Sequence, residues 1–437
     1  MKAKIAGAGL LLLTPSVHAL INLGPGQLDL LASAAIAYDS NLTGGKTGKS
    51  DTFVTLSPEL EFGRAAGLIQ MDAGLGVHFI RYFDQTTFNA DDLNGRLKLT
   101  LAEMAGSSFK GSLQIAYEEG ASVQAELNTR VHSNTLTAGA NGQLQINRRL
   151  LLTGGTTYSN VERSGNSNQE TIGTDWRLSF SDFLRDTSAR ASYSYLFTRS
   201  EAGRYSPVAL SQTSQQISAG LSRPLFRSGE TNVYADFGYR FLDVSAAEKR
   251  AGNRSGSGYT IGAGIDGPFL PARSFPKLHS KFGISYSDSA TPGLNDSGQR
   301  ALQGNIGLDW EARPNTTVGV SAAKTRTLAI NNLTVDSTSL GFHGTQKLRY
   351  NLNANANVAY SWSTYPAVTN PALVAAGTGF TSTDRDDKTF SAGASLAYTF
   401  ARVWHADLSY DYRKIDSSSG LSSYDHHLVS LGVGCRY

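Results

Sequence analysis

From Gln27 to Tyr437 the chain alternates, with apolar side chains at every second position and small or polar ones between, in segments of about ten to fifteen residues. Leu352, Ala354, Ala356, Val358, Tyr360 and Trp362 lie opposite Asn351, Asn353, Asn355, Asn357 and Ser361. Phe390, Ala392, Ala394, Leu396, Tyr398 and Phe400 lie opposite Ser391, Gly393, Ser395 and Thr399. A helix would need its apolar residues three and four apart, so this period dictates strands. Roughly twenty such segments follow one another. Their connections alternate between short ones, such as 63–67, 147–149 and 401–402, and longer ones, such as 40–50, 244–257 and 415–424.

Alternation suits either a soluble sandwich or a membrane barrel, and three features choose between them. Twenty strands would need several sandwiches, and no linker or composition shift divides the chain. The polar face carries Asp72, Arg96, Lys98, Asp236, Asp309, Asp407 and Asp411, each costing several kcal/mol if buried unpaired. Aromatics bracket the segments: Phe390 and Phe400 enclose about 25 Å of tilted strand, the height of an outer-membrane apolar band. No run of 18 apolar residues follows the N-terminal segment, and the mean hydropathy is -0.24, as expected when half of every strand faces water. The fold expected is all-β: a transmembrane antiparallel up-and-down outer-membrane β-barrel of about 20 strands, within a range of 16–20.

Residues 1–19 read as a secretory signal peptide. Lys2 and Lys4 form a basic start, Ile5 to Leu13 an apolar core, and Val17-His18-Ala19 a small-residue cleavage site. The mature chain is expected to begin at Leu20, and residues 20–437 to form one barrel domain. No cysteine follows the cleavage site, so no lipid anchor is expected, and the single cysteine excludes an internal disulfide. A net charge of +3 gives no reason to expect nucleic acid as a partner. The expected partner is outer-membrane lipid.

Residues 44–50, Gly-Gly-Lys-Thr-Gly-Lys-Ser, imitate the end of a P-loop, but Thr43 stands where glycine is needed and another strand follows. His426 and His427 are adjacent on a strand, so they point to opposite faces and cannot share a metal. His78, His279 and His405 belong to different strands, and no Gly-x-Ser-x-Gly elbow is present. No enzymatic activity and no cofactor are expected. The water-facing side is mixed in sign. Its acids are Asp29, Glu59, Glu61, Asp72, Glu118, Asp175, Asp236, Asp266, Asp309, Glu311, Asp407 and Asp411. Its bases are Arg96, Lys98, Lys110, Arg177, Arg190, Arg240, Lys281, Arg413 and Arg436. Such residues either brace the wall in pairs or meet a solute. The segment from Thr364 to Asp387, rich in small residues, is the one connection long enough to fold inward and constrict a pore.

The last eight residues, Ser-Leu-Gly-Val-Gly-Cys-Arg-Tyr, resemble the β-signal read by the outer-membrane barrel assembly machinery. Ser430, Gly432, Cys435 and Tyr437 stand at the signal positions, Cys435 being a departure from the usual aromatic or aliphatic residue. Tyr38-Asp39-Ser40-Asn41-Leu42, at the end of the first strand, resembles a stretch in the outer-membrane β-barrel porin families found beside exopolysaccharide biosynthesis genes. A similar stretch opens the surface-lipoprotein assembly modifiers. The resemblance implies an outer-membrane channel of a Gram-negative bacterium and a secreted polysaccharide as its cargo. A structural or adhesin-like barrel with a loop-blocked lumen is the alternative, and a barrel enzyme comes third.

Overall fold

The computed structural model describes residues 21–44, 46–101, 108–124, 129–164, 168–184, 186–202, 209–226, 231–246, 249, 255–268, 277–288, 300–328, 334–365, 384–401, 403–418 and 423–437. The expected signal peptide and residues 366–383 of the expected constriction lie outside them. The strands are β1 (Ile21–Leu23), β2 (Gly26–Asp39), β3 (Asp51–Arg64), β4 (Ile69–Tyr82), β5 (Ala90–Leu101), β6 (Phe109–Gln124) and β7 (Thr129–Gln145). They continue with β8 (Leu150–Arg163), β9 (Gln169–Leu184), β10 (Thr187–Ser200), β11 (Leu210–Pro224), β12 (Asn232–Val244), β13 (Gly256–Gly267) and β14 (Leu278–Asp288). The last are β15 (Arg300–Arg313), β16 (Thr316–Leu328), β17 (Thr334–Arg349), β18 (Leu352–Tyr365), β19 (Arg385–Phe400), β20 (Trp404–Ser417) and β21 (Tyr424–Arg436).

Each strand from β2 to β21 pairs antiparallel with its sequence neighbour, and β2 pairs with β21 from Leu31↔Arg436 to Asp39↔Leu428. The sheet is therefore a closed ring of 20 strands, as the alternation predicts. Following the register once round the ring displaces it by about 24 residues along β2. That shear sets a strand tilt of about 40° and a backbone diameter of about 40 Å.

One strand is not legible from periodicity. β1 pairs with Gly26, Gln27 and Leu28 of β2 after a turn at Gly24, whose φ of 65° suits glycine. It lies on the same edge as β21 and takes over below Tyr437, whose backbone exchanges two 2.8 Å hydrogen bonds with Leu30. The edge of β2 that the last strand leaves bare is thereby paired.

The strands also run further than expected. Thr364 and Tyr365 end β18, and Arg385 to Asp387 begin β19 in register with them. The connection is therefore shorter than the Thr364–Asp387 segment: alternation continues beyond the membrane band. Pro58 interrupts the ladder in mid-strand. Lacking an N–H, it leaves Ser57 and Pro58 unpaired with β4, and the Ser57 hydroxyl meets the Nδ1 of His78 instead.

Between the two ends the outer face is apolar and exposed: Leu75 is 58% accessible, Phe237 52% and Leu431 52%. These are the residues placed on the lipid side by alternation. Aromatics gather near both rims, as Tyr360–Trp362 with ring centroids 4.7 Å apart at one and Tyr398–Phe400 at 5.8 Å at the other.

Candidate functional site: the lumen

All the acids and bases expected on the water-facing side project into the ring, each in register with other inward residues. Many brace the wall. At the seam, the Arg436 guanidinium donates to Asp29 at 2.6 Å and lies 3.3 Å from Glu61. Arg96 reaches Glu59 and Glu61 and donates to Asp72 at 3.4 Å, so one network ties β5, β4, β3, β2 and β21 together.

A recurrent device lets charges two strands apart meet. Arg190 on β10 donates to Asp236 on β12 at 2.5 Å, passing over Gly220 on β11. Asp309 on β15 and His343 on β17 lie 3.0 Å apart over Gly319 on β16. Arg96 and Glu59 pass over Gly74 on β4 in the same way. A Cβ on any of these glycines would occupy the space that the crossing side chains fill.

Between the charges the wall is largely amide, hydroxyl and glycine. Asn353, Asn355 and Asn357 form an exposed column on β18, beside Ser395 and Gly393 on β19. Asn355 donates to Ser395 at 3.3 Å. Inward aromatics are few in this zone; Tyr234 lies flat over Gly264 and Gly283.

The inner face changes character at the end that carries the longer connections. There Val131, Leu210, Leu242, Val244, Val335 and Ile415 point inward and are buried, Leu210 completely. Tyr82, Tyr365 and Tyr424 join them. An inward-facing pair, Arg385 and Asp387, is 5% exposed on each side chain, with the Arg385 guanidinium 4.0 Å over the ring of Tyr365.

The motifs considered for chemistry do not assemble. Leu42 and Lys49 close the 44–50 stretch with a 2.8 Å backbone hydrogen bond, and Asp51 starts β3, so no helix follows. His426 turns inward to Asp39 at 2.9 Å, while His427 turns outward, 3.0 Å from the Tyr410 hydroxyl. Among the described residues no group of three or more His, Cys, Asp or Glu can hold a metal. Ser57 and His78 are a hydroxyl–imidazole pair that sequence inspection missed, because the register of β3 on β4 brings them together. Asp92 stands in register with His78 but lies 3.9 Å from His132. His279 contacts Asp266 at 3.0 Å, and His405 lies over Gly434. The three histidines remain apart.

The four terminal signal residues take two faces. Ser430 and Gly432 point inward, Gly432 under the Asp407 carboxylate. Cys435 and Tyr437 point outward, Cys435 in register with Trp404.

A closed 20-strand antiparallel ring, lipid-facing outside and water-facing inside, defines a transmembrane β-barrel of the outer-membrane kind. Residues 230–437 match the family described as "Putative beta-barrel porin 2", so β12 to β21 carry a porin-family pattern. No curated protein matches the chain. Among solved structures, the FrpB iron transporter from Neisseria meningitidis (F5-1 variant) aligns with a TM-score of 0.59 at 8% identity, over 94% of this chain and 82% of that one. The ferric-catecholate import receptor Fiu from E. coli K12 gives 0.54 at 10%, over 94% and 81%. The siderophore receptor PiuA from Acinetobacter baumannii gives 0.53 at 9%, over 94% and 82%. At such identities the likeness shows the shared outer-membrane barrel fold.

Proposed function

We propose that the protein is a passive outer-membrane channel of a Gram-negative bacterium that carries carbohydrate, with an exported polysaccharide as the leading cargo. The observation that carries this reading is the lumen. A ring about 40 Å across cannot be filled by wall side chains that are mostly glycine, serine, threonine and asparagine. Arg96, Arg190 and Arg436 are held by wall carboxylates, and amides and hydroxyls suit neutral polyols. In this reading the signal peptide is removed before Leu20, the longer connections face outside, and the assembly machinery reads Ser430, Gly432, Cys435 and Tyr437. Single-channel conductance of the purified protein, with and without neutral oligosaccharide, tests it: steady conductance that the sugar reduces is expected, and a barrel that never conducts overturns it.

The buried apolar residues inside the wide-loop end favour a second reading, a structural or adhesin-like barrel closed at its outer mouth. A non-conducting but correctly inserted wild-type barrel is the outcome that reading requires.

A further inference from the structure

The inner wall over β4 to β9 carries a depression of about 580 Å³, within the range of small-ligand sites. Its floor includes two glycines on neighbouring strands, diagonal to each other in the register: Gly139 on β7, paired with Thr157, and Gly155 on β8, paired with Asn141. Its rim is made of amides and hydroxyls, Gln70, Gln114, Asn141, Gln143 and Thr157. Asn141 donates to Ser112 at 3.1 Å, which restrains its amide. Lys110 and Asp175 are the two charges in the lining, one of each sign.

We propose that this depression is a binding subsite for one or two units of an uncharged polyhydroxyl chain. The inference rests on the channel reading and names where its cargo is held. A hydroxyl donates and accepts at once, and so does a primary amide, whereas a carboxylate only accepts and an ammonium only donates. A cluster of amides around a flat glycine floor therefore matches a ring edged with hydroxyls better than it matches an anion or a cation. The Arg96, Arg190 and Arg436 clusters elsewhere on the wall are cross-linked by ion pairs. In this sector a cavity, neutral polar groups and open space at the level of the backbone coincide. The floor is also open to test, because a Cβ on Gly139 would meet nothing closer than 3.4 Å, the side chain of Gln114.

Isothermal titration of the full mature barrel, in a detergent without a sugar headgroup, provides the test. The probes are isomalto-, cello- and mannohexaose, with sulfated and amino-substituted oligosaccharides of equal length beside them. At least one neutral hexaose should bind. Gly139→Thr, which fills the floor, and the pair Gln114→Ala with Gln143→Ala should each weaken it about tenfold or more, with the thermal transition unchanged. Asp243→Asn, on the outward face at the loop end, should leave the affinity as it is. No binding by any neutral hexaose, equal affinity after Gly139→Thr, or preference for a charged probe would each overturn the proposal. Conductance separates this failure from that of the channel reading: a barrel that conducts but binds no sugar loses only the subsite, and one that binds sugar but never conducts loses only the channel.

Discussion

The two ends of the lumen obey opposite rules. Toward the end where β1 and Tyr437 lie, inward side chains are polar and wet, and apolar ones face lipid. Toward the other end Leu210, Leu242, Val244 and Val335 face inward and are buried, while outward positions at that height hold Arg81, Asp91, Asp243 and Lys414. Both ends use one alternation, read against different surroundings. Within the membrane the outside is hydrocarbon, so apolar residues go out. Above it the outside is water, so apolar residues gain by turning in. The lesson is that strand parity fixes which residues share a face, and the medium decides which face is apolar.

Charge insertion should separate the ends most. Leu210→Asp buries a carboxylate at a completely covered position and is expected to cost several kcal/mol of unfolding free energy in lipid vesicles. Asn353→Asp, on the wet wall, should stay within about 0.5 kcal/mol. Equal losses would erase the distinction.

Ion pairs sharpen it next. Arg385→Ala strands Asp387 at 5% exposure and should cost about 3–5 kcal/mol, while the double variant Arg385→Met with Asp387→Leu should recover most of that. The corresponding loss at the opposite end, Arg436→Ala, should be below about 1 kcal/mol, because its side chain is 61% exposed. Urea unfolding of the refolded barrel measures both.

The glycine crossings should fall between those extremes. Gly220→Ala pushes Arg190 and Asp236 apart and is expected to cost about 1–2 kcal/mol. Gly307→Ala, where a Cβ meets only the Lys281 Cβ at 3.9 Å, should be close to neutral. If the two cost the same, the crossings are incidental.

Much of this was legible beforehand. Alternation pointed to about twenty ring strands, because a strand half in lipid and half in water leaves no other pattern. It also put Asp236, Arg190 and Asp309 on the water side. Four things were hidden. Ile21 to Leu23 is too short to show a period. The meeting of Arg190 with Asp236 over Gly220 depends on the register of three strands, which no single segment encodes. The inward turn of Val244 and Ile415 looks, in sequence, like ordinary apolar residues at the ends of strands. The lumen depression was hidden for the same reason as the crossings, since Gly139 and Gly155 become neighbours only when β7 and β8 are in register.

The seam has a kinetic consequence. Arg436 and Asp29, which join across it, stand 407 residues apart in the chain. Every other strand pairing in the ring joins sequence neighbours, but the β2–β21 pairing must wait for the final strand. Until it arrives the growing sheet keeps two bare edges, each able to pair with another chain. Contacts of such separation are slow to form, since loop closure has to be overcome before they contribute. The folding rate of this barrel should therefore be set by its last pairing, and a chaperone or insertion partner would have most to do at that step.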